Sequence, residues 1–242
     1  MKNILIIGSG KFVAETVFPA LKLVDEQYKV IGIVNRSGKL SKDSNLNCEN
    51  ITISNTIDTF ISNQIDLIFI SIPPKNVIEK AQELRKLGLE HCELYITTPV
   101  IPLTDIFNMG ILKKFRRVSA FEFVPEIPIF SAVRQVINSG EIGKVKHMIL
   151  DRCGYLYHGV ATLQSWNKNT SIGKAKFFKK GHKYYTDISF GDVSTTIIEP
   201  RNYQDFDIQI LGENKTVTTS KRNKDSDLVL KTNSSQGRFT GI

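Results

Sequence analysis

The feature that most constrains the fold is the alternation of segments in the half of the chain that ends near Val118. Short runs rich in β-branched residues alternate with amphipathic stretches, a pattern typical of strands buried in a parallel sheet and covered by helices. The pattern predicts strands at 3–7, 28–34, 51–53, 67–71, 94–97 and 118–123, and helices at 12–24, 77–87 and 104–115. The first half is therefore predicted to be an α/β domain.

The pattern changes after Glu126. One helix is predicted at 127–139, and it is followed by strands at 144–152, 175–178, 184–189, 193–198, 205–211 and 228–231. Polar turns separate these strands, which is typical of an antiparallel sheet with one solvated face. We therefore expect an α/β domain at 1–123 and a compact α+β domain with a mainly antiparallel sheet at 124–242.

The composition limits the classes of protein to which this chain can belong. The chain of 242 residues is 41% hydrophobic and 23% charged, within the globular range. No apolar run approaches the roughly 20 residues of a membrane helix, so we expect a cytoplasmic protein with no membrane partner. The three cysteines, Cys48, Cys92 and Cys153, lack metal-type spacing, which predicts reduced thiols and no metal site.

The net charge of +8 suits either nucleic acid or an anionic small molecule. The basic clusters contain no recognised nucleic-acid-binding motif, and such clusters are usually solvated surface. We therefore expect an anionic substrate or cofactor, and no nucleic acid.

A glycine-rich turn follows the first predicted strand and opens the first predicted helix, where backbone amides can bind a pyrophosphate. Gly8 would permit the tight turn and Gly10 the close approach of phosphate, whereas Val13 replaces the usual third glycine and should hold helix and strand slightly apart. A tight turn in another kind of α/β protein is the alternative. The context predicts a Rossmann dinucleotide-binding domain over 1–123, with cofactor-binding residues Gly8, Ser9, Gly10, Lys11, Phe12 and Val13.

The second predicted strand ends at Asn35, where a dinucleotide-binding fold usually places an acid on the adenine ribose. Asn35, Arg36 and Ser37 offer an amide, a guanidinium and a hydroxyl instead, and these groups can bind a 2′-phosphate. The segment therefore predicts NADP(H) in preference to NAD(H). The alternative is that Arg36 is an ordinary exposed turn residue.

Three short motifs follow one another along the chain. They are the glycine turn with Pro19-Ala20-Leu21, the segment 66–74 that ends in Pro73-Pro74, and Glu141-Ile142-Gly143-Lys144-Val145. In order and spacing they resemble the Gfo/Idh/MocA family of NAD(P)-dependent oxidoreductases. The resemblance implies a dinucleotide domain followed by a domain whose open sheet covers the nicotinamide and forms the substrate pocket. It also implies a homodimer through the C-terminal sheet and cofactor contacts from Ser71, Pro73, Pro74, Thr97 and Pro99.

The family's usual Glu-Lys-Pro, whose lysine assists proton transfer, is replaced here by Thr97-Thr98-Pro99. The hydroxyl of Thr98 can form a hydrogen bond, but it cannot replace an ammonium as an acid or as an electrostatic stabiliser. Either another side chain carries the proton, or the protein binds a dinucleotide or metabolite without catalysis.

A cluster of polar residues follows the strand that enters the second domain. His158 could exchange a proton near neutral pH, and Tyr155 or Tyr157 could donate to a carbonyl oxygen, while pocket walls or core packing are the alternative. His158, ahead of 160–166, resembles the family's histidine, which precedes a helix. Glu122 could hold the carboxamide or a sugar hydroxyl, or serve only as a hinge. The predicted catalytic residues are His158, Tyr157, Tyr155 and Thr98, and the predicted substrate-binding residues are Glu122, Tyr155 and His158.

Together these observations predict an NAD(P)-dependent oxidoreductase that transfers a hydride between a nicotinamide cofactor and a small sugar-like or carbonyl/alcohol substrate. The alternative is a catalytically degenerate dinucleotide- or metabolite-binding protein of the same fold. The second domain, at 124–242, would serve substrate binding and oligomerisation.

Overall fold

The computed structural model describes residues 1–39, 51–167, 171–220, 227–232 and 238–239. The chain divides into two compact units, Met1–Phe121 and Glu122–Ile242. Cys92 and Cys153 are buried free thiols, whereas Cys48 lies outside the described residues. Within the described ranges, no helix combines the length and the apolar character that crossing a membrane requires.

The first unit is built on a six-stranded parallel sheet. Its strands are β1 (Lys2–Ile7), β2 (Tyr28–Val34), β3 (Thr52–Ser54), β4 (Leu67–Ile70), β5 (Glu93–Thr97) and β6 (Arg117–Phe121). Their spatial order is β3-β2-β1-β4-β5-β6. This order joins two mononucleotide-binding halves and brings the carboxyl ends of the parallel strands to one edge of the sheet.

Helical segments cover the two faces of this sheet. They are a π-helical turn (Val13–Val17) that continues into α1 (Phe18–Lys22), the helix α2 (Val77–Lys86), and 3-10 segments at Asp58–Phe60, Pro74–Asn76 and Leu103–Lys114. Side chains alternate along β1, so Ile4 and Ile6 pack with Val17 on the α1 face, whereas Leu5 packs with Leu84 on the α2 face. Both faces are therefore buried, as the apolar runs predict.

Two predicted helices differ from the structure. The helix predicted at 12–24 starts with a π-helical turn and ends at Lys22, and Pro19, which lacks an N–H, lies in the first turn of α1. The helix predicted at 104–115 is a 3-10 segment. Leu103 and Phe107 in this segment are 87% and 95% exposed and Leu112 is buried, so its buried apolar face is narrower than the one that stabilises most α-helices in proteins.

The second unit is built on an eight-stranded sheet with the order β14-β13-β12-β11-β7-β10-β9-β8. Its strands are β7 (Val145–Asp151), β8 (Ile172–Lys180), β9 (Lys183–Phe190), β10 (Val193–Glu199), β11 (Asp207–Gly212), β12 (Lys215–Ser220), β13 (Asp227–Thr232) and β14 (Arg238–Phe239). The β7–β10 pair is parallel and the other pairs are antiparallel. The predicted class, a Rossmann domain followed by an α+β domain with a mainly antiparallel sheet, is confirmed.

The helices of the second unit are α3 (Pro128–Ser139) and α4 (Leu156–Trp166), preceded by a 3-10 turn at Val124–Glu126. Phe130 of α3 and Leu163 of α4 belong to the same buried cluster as Leu150 of β7. Because α4 begins at Leu156, His158 lies in the first turn of this helix and not ahead of it, which corrects the sequence-based placement. The chain over 153–159 contains two glycines and two tyrosines, and this composition concealed the start of the helix.

Candidate functional site

The glycine turn is fixed against the end of β4. Gly8 has a φ of +105°, and a Cβ built on it would lie 2.0 Å from the backbone oxygen of Ser71. The N–H of Ser71 donates to the carbonyl oxygen of Ile7 at 2.8 Å, which holds the two strand ends together. Both the backbone conformation and the space therefore require glycine at position 8.

The next residues of the turn face solvent. A Cβ built on Gly10 would meet no heavy atom within 4 Å, and Lys11 is exposed. Val13 is fully buried, and Phe12 packs against Phe121 with ring centroids 6.2 Å apart. The turn therefore leaves open space at Gly10, where the first turn of the helix begins and a phosphate could approach the backbone.

Asn35 links the glycine turn to the turn after β2. Its Nδ2 donates to Oγ of Ser9 and to the carbonyl oxygen of Lys39, both at 2.9 Å, and its Oδ1 accepts from the backbone N–H of Ser37 at 3.1 Å. A carboxylate at this position could not donate to the Lys39 carbonyl. The amide therefore has a structural reason to replace the acid that is usual at this position, and Arg36 is left exposed in the turn.

A cavity of about 610 Å³ lies beside this turn, within the usual size range of small-molecule sites. Its lining includes the cations Arg36, Lys75 and Lys80, together with Asn35, Pro73 and Glu79. Lys75 and Lys80 were not among the predicted cofactor-binding residues, although Lys75 directly follows the Pro73-Pro74 motif. Nζ of Lys80 pairs with Glu83, so Arg36 and Lys75 are the cations that the cavity can offer to a phosphate.

The segment Thr97-Thr98-Pro99 follows β5 at the same edge of the sheet. Oγ1 of Thr97 lies 3.4 Å from the carbonyl oxygen of Ile70, and Oγ1 of Thr98 lies 3.5 Å from that of Phe121. The Thr98–Pro99 peptide bond is cis. The position of the family's lysine is therefore occupied by a hydroxyl directed at the backbone of β6.

The second unit brings Glu122 and His158 into direct contact. The Nδ1 atom of His158 lies 2.9 Å from Oε1 and 2.8 Å from Oε2 of Glu122. The backbone N–H of Val124 donates to Oε1 of Glu122 at 3.0 Å, which orients the carboxylate. A carboxylate at Nδ1 holds the proton on that nitrogen and leaves Nε2 to exchange a proton.

The pair is shielded from solvent, since the side chains of His158 and Glu122 are 9% and 11% exposed. Three aromatic rings surround His158: the ring of Tyr157 lies 4.2 Å from it between centroids, that of Tyr155 6.0 Å and that of Phe123 6.1 Å. Burial raises the pKa of Tyr157, and the neighbouring Tyr155 and Glu122 add to the increase. The phenol therefore remains a hydrogen-bond donor at neutral pH.

The start of α4, which carries His158, is fixed by a residue that the sequence analysis missed. Oε1 of Glu199, the last residue of β10, accepts a hydrogen bond from the backbone N–H of Leu156 at 3.0 Å. The carboxylate thereby satisfies one of the unpaired N–H groups at the start of the helix. The sequence does not reveal this capping hydrogen bond, because Glu199 and Leu156 are 43 positions apart.

The predicted site residues therefore fall into two groups, one in each unit. The first unit contains the predicted cofactor-binding residues along the carboxyl edge of its sheet, and the second contains the cluster Glu122, Tyr155, Tyr157 and His158. Among the residues that the structure describes, no group of three or more His, Cys, Asp or Glu is placed to hold a metal ion.

Comparison with known proteins defines the class of fold. No protein-family model and no curated protein matches the sequence. Solved structures do match, however, among them an NAD-binding oxidoreductase from Klebsiella pneumoniae at 12% identity, a TM-score of 0.74, and coverage of 99% of this chain and 78% of the other. The chain has the two-domain fold of oxidoreductases of the Gfo/Idh/MocA type, as the resemblance implied.

Two further structures share this fold. The WlbA dehydrogenase from Bordetella pertussis, in complex with NADH and UDP-GlcNAcA, matches at 12% identity and a TM-score of 0.71, with 98% of this chain and 83% of the other covered. The super-repressor mutant of Gal80p from Saccharomyces cerevisiae matches at 15% identity and a TM-score of 0.77, with 99% and 78% covered. Because a repressor shares the fold, the site, and not the fold, must decide whether this chain is an enzyme.

Proposed function

We propose that this protein is an oxidoreductase that binds a nicotinamide dinucleotide, prefers NADP(H), and acts on a small sugar-like or other carbonyl/alcohol substrate. The observation that carries the proposal is the buried contact between Glu122 and His158, which gives the second unit a positioned acid/base. The fold supports the dinucleotide, since solved structures that share it include an NAD-binding oxidoreductase and a dehydrogenase bound to NADH.

The residues of the first unit fit such a cofactor. Gly8 forces the tight turn, and the open space at Gly10 would admit a pyrophosphate. Arg36 and Lys75 line the cavity beside the end of β2, where a 2′-phosphate would be bound by charge-assisted hydrogen bonds. When bound, a nicotinamide supplies a carbon that accepts or donates a hydride.

The residues of the second unit supply the proton chemistry. In the direction of oxidation, Nε2 of neutral His158 accepts the hydroxyl proton of the substrate, while Glu122 stabilises the positive charge that develops on the ring. In the direction of reduction, the same nitrogen returns that proton to the carbonyl oxygen. The ring of Tyr157 lies against His158, with centroids 4.2 Å apart, and its phenol is the candidate donor of a hydrogen bond to the same oxygen.

The contact between Glu122 and His158 also provides a proton-transfer group in place of the family's lysine. Thr98 cannot act as an acid, so the proton must come from another group, and the buried His158 with its carboxylate partner is a competent one. Glu122 directly follows Phe121, the last residue of β6, in the chain. The prediction that His158 is the acid/base therefore stands as our proposal, with Glu122 as its positioning residue.

A second candidate function follows from the same observation at Thr98. A protein that binds a dinucleotide or a metabolite without turnover would have no need for the lysine, and a repressor has this fold. To separate the two functions, we propose to measure NADPH oxidation and NADP⁺ reduction with a broad panel of sugars and carbonyl compounds. Turnover supports the enzyme, whereas tight NADPH binding without turnover of any panel member supports the binding protein.

The variant Thr98→Lys sharpens this test, because it restores the family's residue. Increased turnover in this variant would indicate that the pocket retains the geometry of an enzyme.

The predicted homodimer through the C-terminal sheet stays a prediction, which sedimentation velocity can test.

A further inference from the structure

A row of stacked side chains in the second unit leads from the surface to His158. The guanidinium carbon of Arg201 lies 4.0 Å from the ring centroid of Tyr155 and 5.3 Å from that of Tyr203. Tyr155 stacks on Tyr157, with centroids 5.5 Å apart and planes inclined by 20°, and Tyr157 contacts His158. An exposed cation is thus connected through two aromatic rings to the buried acid/base.

The loop that carries Arg201 is tied to the loop that precedes α4. The backbone N–H of Asn202 donates to the carbonyl oxygen of Arg152 at 2.9 Å, and Nη1 of Arg152 donates to Oδ2 of Asp205 at 2.7 Å. The backbone N–H of Asp205 also donates to the carbonyl oxygen of Asn202 at 3.1 Å. Arg201 is therefore held beside Tyr155 before any ligand arrives, which reduces the ordering cost of binding.

The ionic contacts of Arg201 differ from those of two other arginines in the second unit. Among the described residues, no carboxylate oxygen lies within 4.0 Å of an Arg201 nitrogen, whereas Arg134 pairs with Glu126 and Arg152 with Asp151 and Asp205. The nearest polar contact is the hydroxyl of Tyr203, 3.5 Å from Nη1. A guanidinium that stacks on rings keeps the N–H groups in its plane available for a carboxylate or a phosphate.

We propose that Arg201, supported by Tyr155, binds an anionic group of the substrate, a carboxylate or a phosphate carried a few bonds away from the carbon that reacts at His158. This inference rests on the proposed function, because it takes His158 as the reacting centre. It deepens that function by naming the substrate class as an acidic or phosphorylated sugar-like compound. The ring of Tyr155, which also stacks on Tyr157, holds the guanidinium in place.

The test compares ligands that share one ring and differ only at C6: glucose, glucuronate and glucose 6-phosphate. Calorimetric titration of the full chain should give an anionic member about 10- to 100-fold tighter binding than glucose, the range expected for hydrogen bonds to a charged partner. The comparison of glucuronate with glucose 6-phosphate shows whether the site prefers a carboxylate or a phosphate. High salt should weaken the anionic ligand more than glucose, because a solvent-exposed ion pair is screened.

The variant Arg201→Met keeps an unbranched apolar stem and removes the charge. It should abolish the difference between the anionic and neutral ligands, whereas Arg116→Met, the same change at an exposed arginine of the first unit, should preserve it. Tyr155→Ala should weaken the anionic ligands more than glucose, because Arg201 loses the ring that holds it in place. Equal affinity for glucose and both anions, an unchanged difference in Arg201→Met, or no binding of either anion at millimolar concentration would each overturn the inference.

NADPH titration and turnover are measured separately on the same variants, and they report on the proposed function. If NADPH binding and turnover are found but the anions are not preferred, the inference fails while the proposed function stands. If the preference depends on Arg201 but no panel member is turned over, the anion site is retained and the proposed reaction fails.

Discussion

Glu122 Oε2 lies 2.8 Å from Nδ1 of His158, although the two residues are 36 positions apart in the sequence. The contact joins the residue that follows β6 to the first turn of α4, and Glu199 fixes the start of that helix from the end of β10. His158, which we propose as the acid/base, is therefore positioned by elements from three places in the chain.

The first prediction concerns the choice of cofactor. NADPH should bind more tightly than NADH, because Arg36 and Lys75 line the cavity beside β2. Arg36→Ala should reduce the preference by about 1.5–3 kcal/mol, the contribution of a hydrogen bond to a charged group, and fluorescence titration measures this change. Arg116→Ala serves as the matched control. Equal affinities for the two cofactors in the parent protein would contradict the preference.

The second prediction separates the two glycines of the turn. Gly8→Ala should destabilise the first unit by about 2 kcal/mol or more, because its Cβ would lie 2.0 Å from the Ser71 oxygen at a positive φ. Gly10→Val should leave the stability nearly unchanged, since its Cβ meets nothing within 4 Å, but should weaken both dinucleotides. Urea unfolding and cofactor titration check the pair. A stable Gly8→Ala variant, or normal cofactor affinity in Gly10→Val, would contradict the assigned roles.

The fold could be predicted from the sequence because both units follow simple periodicities. The strand predicted at 28–34 is observed as Tyr28–Val34, since its apolar run is bounded by turns on both sides. The strand Lys215–Ser220 was not predicted, because Thr216 to Ser220 are polar apart from Val217, which is buried. Its pairing with β11 depends on a neighbour in space and not on its own composition.

Several residues of the candidate site could be named from the sequence, but their contacts could not. Glu122 and His158 were both named as substrate-binding candidates, and His158 also as catalytic, but sequence spacing carries no information on a contact across 36 positions. Arg201 and Lys75 were missed for a related reason. A lone cation in the sequence looks like solvated surface until its neighbours in space are known.

The third prediction distinguishes the two tyrosines. Tyr157→Phe should lower turnover by about tenfold, since it removes a hydroxyl placed beside His158, whereas Tyr155→Phe retains the stacked ring and should have little effect. Burial raises the pKa of Tyr157, so its hydroxyl should remain protonated above the usual value of about 10. Absorbance titration of the parent protein and Tyr157→Phe should therefore differ by one late-ionising phenol. If the phenol missing from Tyr157→Phe ionised at or below the usual pH, the result would contradict the burial of Tyr157.

The fourth prediction links a buried thiol to stability at alkaline pH. Burial, reinforced by Asp66, raises the pKa of Cys92 from 9.0 to about 11. The folded protein therefore keeps a proton that the unfolded chain loses between these values, so this contribution to stability is present below pH 9 and is lost as the pH rises towards 11. It amounts to about 3 kcal/mol at its limit.

Urea unfolding of the parent protein and of Cys92→Ala at a series of pH values measures this contribution. The stability difference between the two proteins should shift against the parent as the pH rises from 8 to about 11, because only the parent has this thiol to ionise. A difference that is independent of pH would contradict the assignment.

The central claim is that His158, held by Glu122, exchanges the proton. Glu122→Gln keeps the shape of the side chain and removes its charge, so it should lower kcat more than it changes KM, with NADPH affinity unaffected. The most direct measurement is the kcat of His158→Ala on a panel substrate that the parent protein turns over, together with its Kd for NADPH. We predict that turnover falls by roughly 10²–10⁴-fold while the Kd for NADPH is preserved and the protein stays folded. Full turnover in His158→Ala would contradict the account.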